Sequence, residues 1–227
     1  MIKNNLKIVV ISDTHNKHNQ IIIPECDILI HAGDWTGQGK FNEVNNFGKW
    51  LNKQPANYKI IVPGNHEVVF EKELPISKSW LQEACPDVNL LINESITIEG
   101  IKFYGSPITP FFFNWAWNRH PEEIKSYWNQ IPDDTEFLIT HGPPYGVLDY
   151  VKHLSKLDQP FIEHLGCPKL RQKIDSLTNL KYHVFGHIHT SHGTKEINGK
   201  IFHNAAMLNE QYDVVYNPIV FEIKSET

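Results

Sequence analysis

Cysteine is scarce in this chain: Cys26, Cys85 and Cys167 are the only three among 227 residues. An odd number, wide spacing and no Cys-x-x-Cys pair exclude a disulfide framework and a thiolate zinc site, leaving packing as their expected role. Long apolar runs are also missing, since no stretch approaches the ~20 residues that cross a bilayer. The amino terminus passes from a short apolar run straight into polar residues, without the apolar length or small-residue cleavage site of a signal peptide. We therefore expect a cytoplasmic protein with no membrane partner, in which the sequon Asn93-Glu94-Ser95 is a chance match. Basic runs are absent too, and a net charge of -5 argues against nucleic acid as a partner. Repeats, linkers and low-complexity tracts do not occur. Hydrophobic and charged contents of 41% and 21% are those of an ordinary globular protein, and the length suits a single domain spanning residues 1–227. Nothing in the sequence specifies an oligomeric state.

What the chain does have is an alternation of elements. Ile- and Val-rich runs at 6–11, 27–30, 58–62, 137–139 and 182–185 read as buried strands. Between them, helices are expected around 41–51, 77–84, 121–129 and 168–177, the third opening on Pro121 beside acids. Three further strands are expected near 90–92, 95–99 and 101–104, with Glu99-Gly100 as a hairpin turn. Sheet is also expected at 200–203, 213–215 and 219–223. Strand–helix units combined with hairpins predict an α/β fold with mixed sheets.

Five polar clusters follow, or nearly follow, the strand-like runs: Asp13-Thr14-His15, Gly33-Asp34, Gly64-Asn65-His66-Glu67, Thr140-His141-Gly142 and Gly186-His187-Ile188-His189. Asp13 and His15 are two apart, so on an extended segment both point to one side, and His187 and His189 repeat that spacing. Asp34 has an oxygen on either side of its carboxyl group and can bridge two cations. His141 adds an imidazole and Asn65 a neutral oxygen, giving a mixed nitrogen and oxygen set suited to Mn, Fe or Zn rather than Ca. Any one such residue is more often a cap or hydrogen-bonding partner than a ligand. Five clusters at the carboxyl ends of successive strands are harder to explain that way, because ligands of open α/β sheets gather at that edge.

The motifs D-x-H, G-D, G-N-H-[DE], H and G-H-x-H, all present and in order from Asp13 to His189, resemble those of the calcineurin-like metallophosphoesterase superfamily. The stretches 11–15, 63–67, 141–144 and 110–118 are similar more narrowly to its metallophosphoesterase-domain (MPPED-type) phosphodiesterase branch. Some members of that branch replace the first His of G-H-x-H with Gly, whereas this chain keeps His187, which favours a complete two-metal site. The resemblance implies a four-layer α/β/β/α sandwich with two mixed β-sheets. It implies one metal on Asp13, His15, Asp34 and His189, and a second on Asp34, Asn65, His141 and His187. Two divalent transition-metal ions, Mn first and Fe, Zn, Co or Ni as alternatives, would then activate a bridging hydroxide against phosphorus. His66 matches the catalytic imidazole beside the leaving oxygen, and Glu67 is placed to orient His66 or a ligand. The expected activity is that of a hydrolase acting on phosphoric ester bonds, a phosphodiesterase of small phosphodiesters such as cyclic nucleotides. The alternatives are a phosphomonoesterase or a metal-dependent nucleotide-binding scaffold with little turnover.

Other motifs fail on single residues. His66-Glu67-Val68-Val69-Phe70 has Phe70 where H-E-x-x-H needs its second His, and Gly37-Gln38-Gly39-Lys40 is followed by Phe41 where a phosphate loop needs Ser or Thr. There is no G-x-S-x-G elbow. His18, His31, His120, His153, His164, His183, His192 and His203 are not expected as ligands. The aromatic, Pro-punctuated segment 104–117 either offers rings for stacking a base, with Phe112 and Trp115 joining Asn65 and His66 as substrate contacts, or is a loop folded onto the core or a dimer surface.

Overall fold

The computed structural model describes residues 5–154 and 160–224. In chain order the elements are β1 (Asn5–Ile11), β2 (Cys26–His31), α1 (Phe41–Asn52), β3 (Ala56–Ile61), α2 (Val68–Lys72), α3 (Leu74–Ala84) and β4 (Val88–Leu90). Then come β5 (Glu94–Ile98), β6 (Ile101–Ser106), the short β7 (Thr109–Pro110) and β8 (Asn118–Arg119), α4 (Pro121–Trp128) and β9 (Phe137–Thr140). The last are β10 (Tyr150–Leu154), β11 (Pro160–His164), α5 (Pro168–Ser176), β12 (Tyr182–Phe185), β13 (Gly193–Ile197), β14 (Lys200–Asn204) and β15 (Ile219–Lys224).

Two sheets carry the fold. One has the order β15-β1-β2-β3-β4 and the other β13-β14-β12-β9-β6-β5. Each has a parallel centre and an antiparallel strand at its edge: β15 against β1 in the first, β13 and β5 in the second. Both sheets are therefore mixed. Alternation along each strand divides its side chains between two cores. Ile8, Val10, Ile28 and Ile30 of the first sheet meet Phe103, Phe137, Ile139 and Val184 of the second in a shared inner core. The opposite faces are covered by helices. Val9, Ile11 and Leu29 pack against Val44, Phe47 and Leu51 of α1 and Leu81 of α3. Leu138 and Phe185 pack against Ile124 and Trp128 of α4 and Leu170 and Ile174 of α5. The layering is α/β/β/α, each fully buried large side chain contributing about 1.5–3 kcal/mol to it.

Local chemistry fixes the ends of these elements. The Glu43 carboxylate in the first turn of α1 accepts backbone N–H bonds from Gly37, Gln38 and Lys40, anchoring the loop that leaves β2. Glu99 and Gly100 both take positive φ (49° and 83°), as the two-residue turn between β5 and β6 requires.

Three features differ from the sequence expectation. The strand expected at 90–92 lies two residues earlier, because Asn93 turns into the left-handed region at φ 57°. Residues 213–215 form no strand: the Asn209 side chain accepts the N–H groups of Gln211 and Asp213, Tyr212 takes φ 63°, and Val214 makes only a bridge to Leu208. The hairpin of β10 and β11 carries no clean alternation and went unforeseen.

Candidate functional site

The parallel strands of both sheets end at one edge, and the polar clusters leave from those ends. Asp13 and His15 follow β1, Asp34 follows β2, Asn65 to Glu67 follow β3, His141 follows β9, and His187 and His189 follow β12. The backbone bends sharply to present them, with φ of 54°, 40°, 54° and 69° at Asp13, His15, Asp34 and His187. Such left-handed residues persist only where the surroundings hold them, and they cluster at functional sites. Two motif glycines permit the crowding: a Cβ on Gly64 would stand 2.2 Å from Asp34 Oδ1, and one on Gly186 would stand 2.0 Å from Asp13 Oδ2.

Asp34 lies at the centre. Its Oδ2 is 3.2 Å from His141 Nε2 and 3.8 Å from His15 Nε2, while Oδ1 accepts the His66 backbone N–H at 2.8 Å. Asn65 Oδ1 is 2.9 Å from His141 Nε2. Asp13 Oδ1 is 3.5 Å from His189 Nε2, and both Asp13 oxygens accept the His187 backbone N–H at 3.1 and 2.9 Å. The donor atoms fall into overlapping groups, each within 4.8 Å: Asp13 with His15 and His189, Asp34 with His141 and His187, and His15 with Asp34 and His66.

These donors fit divalent cations. Nδ1 of His141, His189 and His66 faces the carbonyl oxygens of Ala32, Asn209 and Gly37 at 2.9, 3.0 and 3.0 Å. In His141 and His189 that contact assigns the proton to Nδ1 and leaves Nε2 as the coordinating nitrogen, the usual arrangement behind a metal-ligating imidazole, and in His66 it leaves Nε2 free. His15 Nε2 is buried without a hydrogen-bond partner, a cost that a coordinated cation removes.

The electrostatics of the chain by itself agree. Burial opposes the charge on Asp34, but His141, His66 and His15 outweigh it and hold its carboxyl well below the usual range. Burial likewise opposes the charge on Asp13, and His189 followed by His141 holds that carboxyl down. Burial would lower His141, yet Asp34 and then Asp13 raise it to about 9. For His15 and His187 burial prevails, and both fall to about 4. A proton on His141 thus occupies the position of a cation between carboxylates, and cation binding would release it.

Glu67 braces this centre from behind. Fully buried, it accepts N–H bonds from Asp34 (3.0 Å) and Gly64 (2.6 Å) on one oxygen, and from Thr36 N–H (2.9 Å) and hydroxyl (2.8 Å) on the other. It therefore orients Asp34 rather than the His66 ring. The His66 ring stacks on Trp115 at 4.3 Å and meets His15 edge-on at 4.5 Å.

A cavity of about 300 Å³ opens over the cluster, lined by Asn65, His66, Phe112 and Trp115 among others. The aromatic segment is divided in its roles: Tyr104 and Trp117 are buried in the cores, whereas Phe111 to Phe113 are exposed. Tyr212, Glu210, Thr190 and Val151 also line the cavity, and sequence reasoning missed them. Glu210 and Tyr212 come from a turn and Val151 from a hairpin, both without a chemical motif, with only the polar Asn-Glu-Gln run at 209–211 to mark a loop, whereas Thr190 directly follows His189 in a short 3-10 helix. Of the remaining histidines, His31 bonds Thr14 Oγ1, His183 bonds Thr140 Oγ1, His203 bonds Thr194 Oγ1 and His164 bonds Asp149. None joins the cluster among the described residues, and the side chain of His153 lies outside them.

Two mixed sheets between helical layers, with carboxylate, imidazole and amide donors crowded at one edge, make a candidate metal centre. The profile described as calcineurin-like phosphoesterase matches residues 6–191, and the chain belongs to that family, whose members hydrolyse phosphoric esters with divalent metal ions. Metallophosphoesterase domain-containing protein 1 of Homo sapiens is 32% identical over 237 residues, covering 96% of this chain and 71% of that protein. UPF0046 protein K07C11.7 of Caenorhabditis elegans is 33% identical over 98% of this chain and 77% of its own length. Among solved structures, phosphopantetheinyl hydrolase from Mycobacterium tuberculosis has a TM-score of 0.58 at 18% identity, over 91% of this chain and 90% of that one. That likeness concerns the fold alone. No helix among the described residues is long and apolar enough to cross a membrane.

Proposed function

We propose that this chain hydrolyses small phosphodiesters at a dinuclear metal centre, one cation held by Asp13, His15, Asp34 and His189 and the other by Asp34, Asn65, His141 and His187. The observation that carries this reading is the single oxygen of Asp34, 3.2 Å from His141 Nε2 and 3.8 Å from His15 Nε2, which lies between two sets of donors. Bound there, two divalent transition-metal ions, manganese first, would supply Lewis acidity to a phosphate ester and lower the pKa of water. The chain's own groups do the rest. Glu67 and the two motif glycines fix Asp34 and Asp13. His66, its Nδ1 engaged by Gly37 O and its plane fixed by Trp115, presents Nε2 to the cavity, where the doubly protonated imidazolium form would protonate or stabilise the leaving oxygen. Phe112 and Trp115 offer stacking surface to the group beyond the phosphate, so that a cyclic nucleotide or a similar small diester is the substrate class. The three cysteines are free, as in the reducing cytoplasm where we place the protein.

The test uses metal-stripped protein, before and after Mn²⁺, with bis(4-nitrophenyl) phosphate and 4-nitrophenyl phosphate. Metal-dependent turnover favouring the diester supports the proposal, and Asp34→Asn should abolish turnover and most Mn²⁺ uptake. An Asp34→Asn protein with full activity would overturn the mechanism.

A further inference from the structure

The charges around the cavity bear on which ester enters it. Among the described residues lining it, none is Lys or Arg. Among those residues, anion binding falls to the cluster of proposed metal ligands and to His66. Lys17, close by in sequence, is engaged through Nζ with the carbonyl oxygen of Tyr212 and is not part of the lining. The charged side chain of the lining outside the cluster is a carboxylate: Glu210, exposed, and without a hydrogen-bond or ion-pair partner among the described residues. It sits two residues from Tyr212 on a turn closed by the Asn209 side chain through the N–H groups of Gln211 and Asp213 at 3.0 and 2.8 Å, so its backbone is held in place.

Aromatic surface accompanies that carboxylate. Tyr212 lies 4.9 Å from the His15 ring, His15 lies 4.5 Å from His66, and His66 lies 4.3 Å from Trp115. The four rings form a continuous chain of contacts along the cavity, with Tyr212 and Trp115 at its two ends offering aromatic surface to a planar group.

We infer that Glu210, seated beside Tyr212, is a specificity-determining residue that restricts this site to monoanionic diesters whose remaining part is planar and carries no further negative charge. A neutral nucleoside or aryl group bearing hydrogen-bond donors can meet the carboxylate, whereas a second phosphate, or the extra charge of a monoester dianion, is repelled by it. The inference rests on the phosphoesterase reading above and names the charge class of the substrate for that same cavity.

Two probes isolate the effect: the 4-nitrophenyl ester of thymidine 5′-phosphate, and the same ester carrying an additional 3′-phosphate. Reacting phosphate and leaving group are identical, and only distal charge differs. Both are assayed with Mn²⁺-loaded wild type, Glu210→Gln and Glu210→Lys, the Mn²⁺ content of each protein reporting an intact centre. The wild type should favour the uncharged nucleoside in kcat/KM. That preference ratio should fall about threefold or more in Glu210→Gln, the size of a single charge pair roughly 7 Å apart in a watery mouth, and further in Glu210→Lys. The differences should shrink in 1 M salt, where screening is nearly complete. An unchanged ratio in proteins that still hydrolyse both esters would overturn the role of Glu210 and leave the phosphoesterase reading standing. Failure of the metal-loaded wild type to hydrolyse either ester would overturn both.

Discussion

Replacing Glu67 with Gln should loosen the metal centre without touching a proposed ligand. The Glu67 carboxylate accepts four hydrogen bonds, from the N–H groups of Asp34, Gly64 and Thr36 and from the Thr36 hydroxyl. All four partners are donors. An amide oxygen can serve only one side, so the NH₂ group must face donors on the other. Turned toward Thr36 it costs least, because the hydroxyl can rotate, but the Thr36 N–H is then buried without an acceptor. One orphaned donor and the loss of charge assistance on the remaining bonds amount to about 2–4 kcal/mol. Against this, burial and then the neighbouring Asp34 raise the Glu67 pKa to about 8, so neutralising it relieves repulsion in the metal-free chain. The metal-free destabilisation should therefore be smaller, about 1–3 kcal/mol by urea unfolding. In the loaded protein cations already compensate the Asp34 charge and that relief disappears. Mn²⁺ affinity, measured by calorimetry, should drop roughly 10- to 100-fold, as for other groups that orient metal ligands. Glu67→Asp, one methylene shorter, should behave similarly because it cannot reach both loops. A Glu67→Gln protein that binds Mn²⁺ within threefold of wild type would refute the bracing role.

Trp115→Ala should raise KM for the thymidine ester roughly tenfold, the scale of one lost base–aromatic stack, and raise it much less for bis(4-nitrophenyl) phosphate; equal effects would remove Trp115 from substrate contact. Stability should also fall in acid through a histidine far from the cavity. Burial, followed by His203, lowers the pKa of His183 to about 3, so the unfolded chain takes up a proton below about 6.5 while the folded one does not until about 3. Stability from this group is present above pH 6.5 and is lost as pH falls through that window, about 2 kcal/mol of it by pH 5. His183→Gln, which can still donate to Thr140, should lose about 2 kcal/mol less than wild type between pH 7 and pH 5 in urea titrations. An identical pH dependence in the two proteins would show that His183 titrates normally.

The cluster was legible in the sequence because strand ends and ligands obey the same geometry. Asp13, Asp34, His141 and His187 each leave a parallel strand within three residues of its end, so recognising buried strands by their Ile and Val runs was enough to place them together. The burial of the strands followed for the same reason, Ile8 and Val10 lying on one face of β1 and Val9 and Ile11 on the other as in a strand covered on both sides, whereas the four-layer order was what the phosphoesterase motifs implied. The pairing of the proposed ligands, which spacing alone leaves open, comes from the phosphoesterase motifs as an expectation.

The mouth of the cavity was not legible, and the reason is physical. Tyr212 and Glu210 reach the site through a turn whose geometry is set by one side chain, Asn209, bonding two backbone N–H groups, a local contact without periodicity. Apolar residues at 213–215 read as another strand, yet that turn takes precedence over their β-propensity, and it is this turn that directs Tyr212 to His15. The proposed metal ligands are positioned by the sheet topology, whereas the loops from 111 to 117 and from 209 to 213 lie outside the strands. Substrate preference should accordingly change through residues such as Glu210, Tyr212 and Phe112 while Asp34 and its neighbours stay fixed.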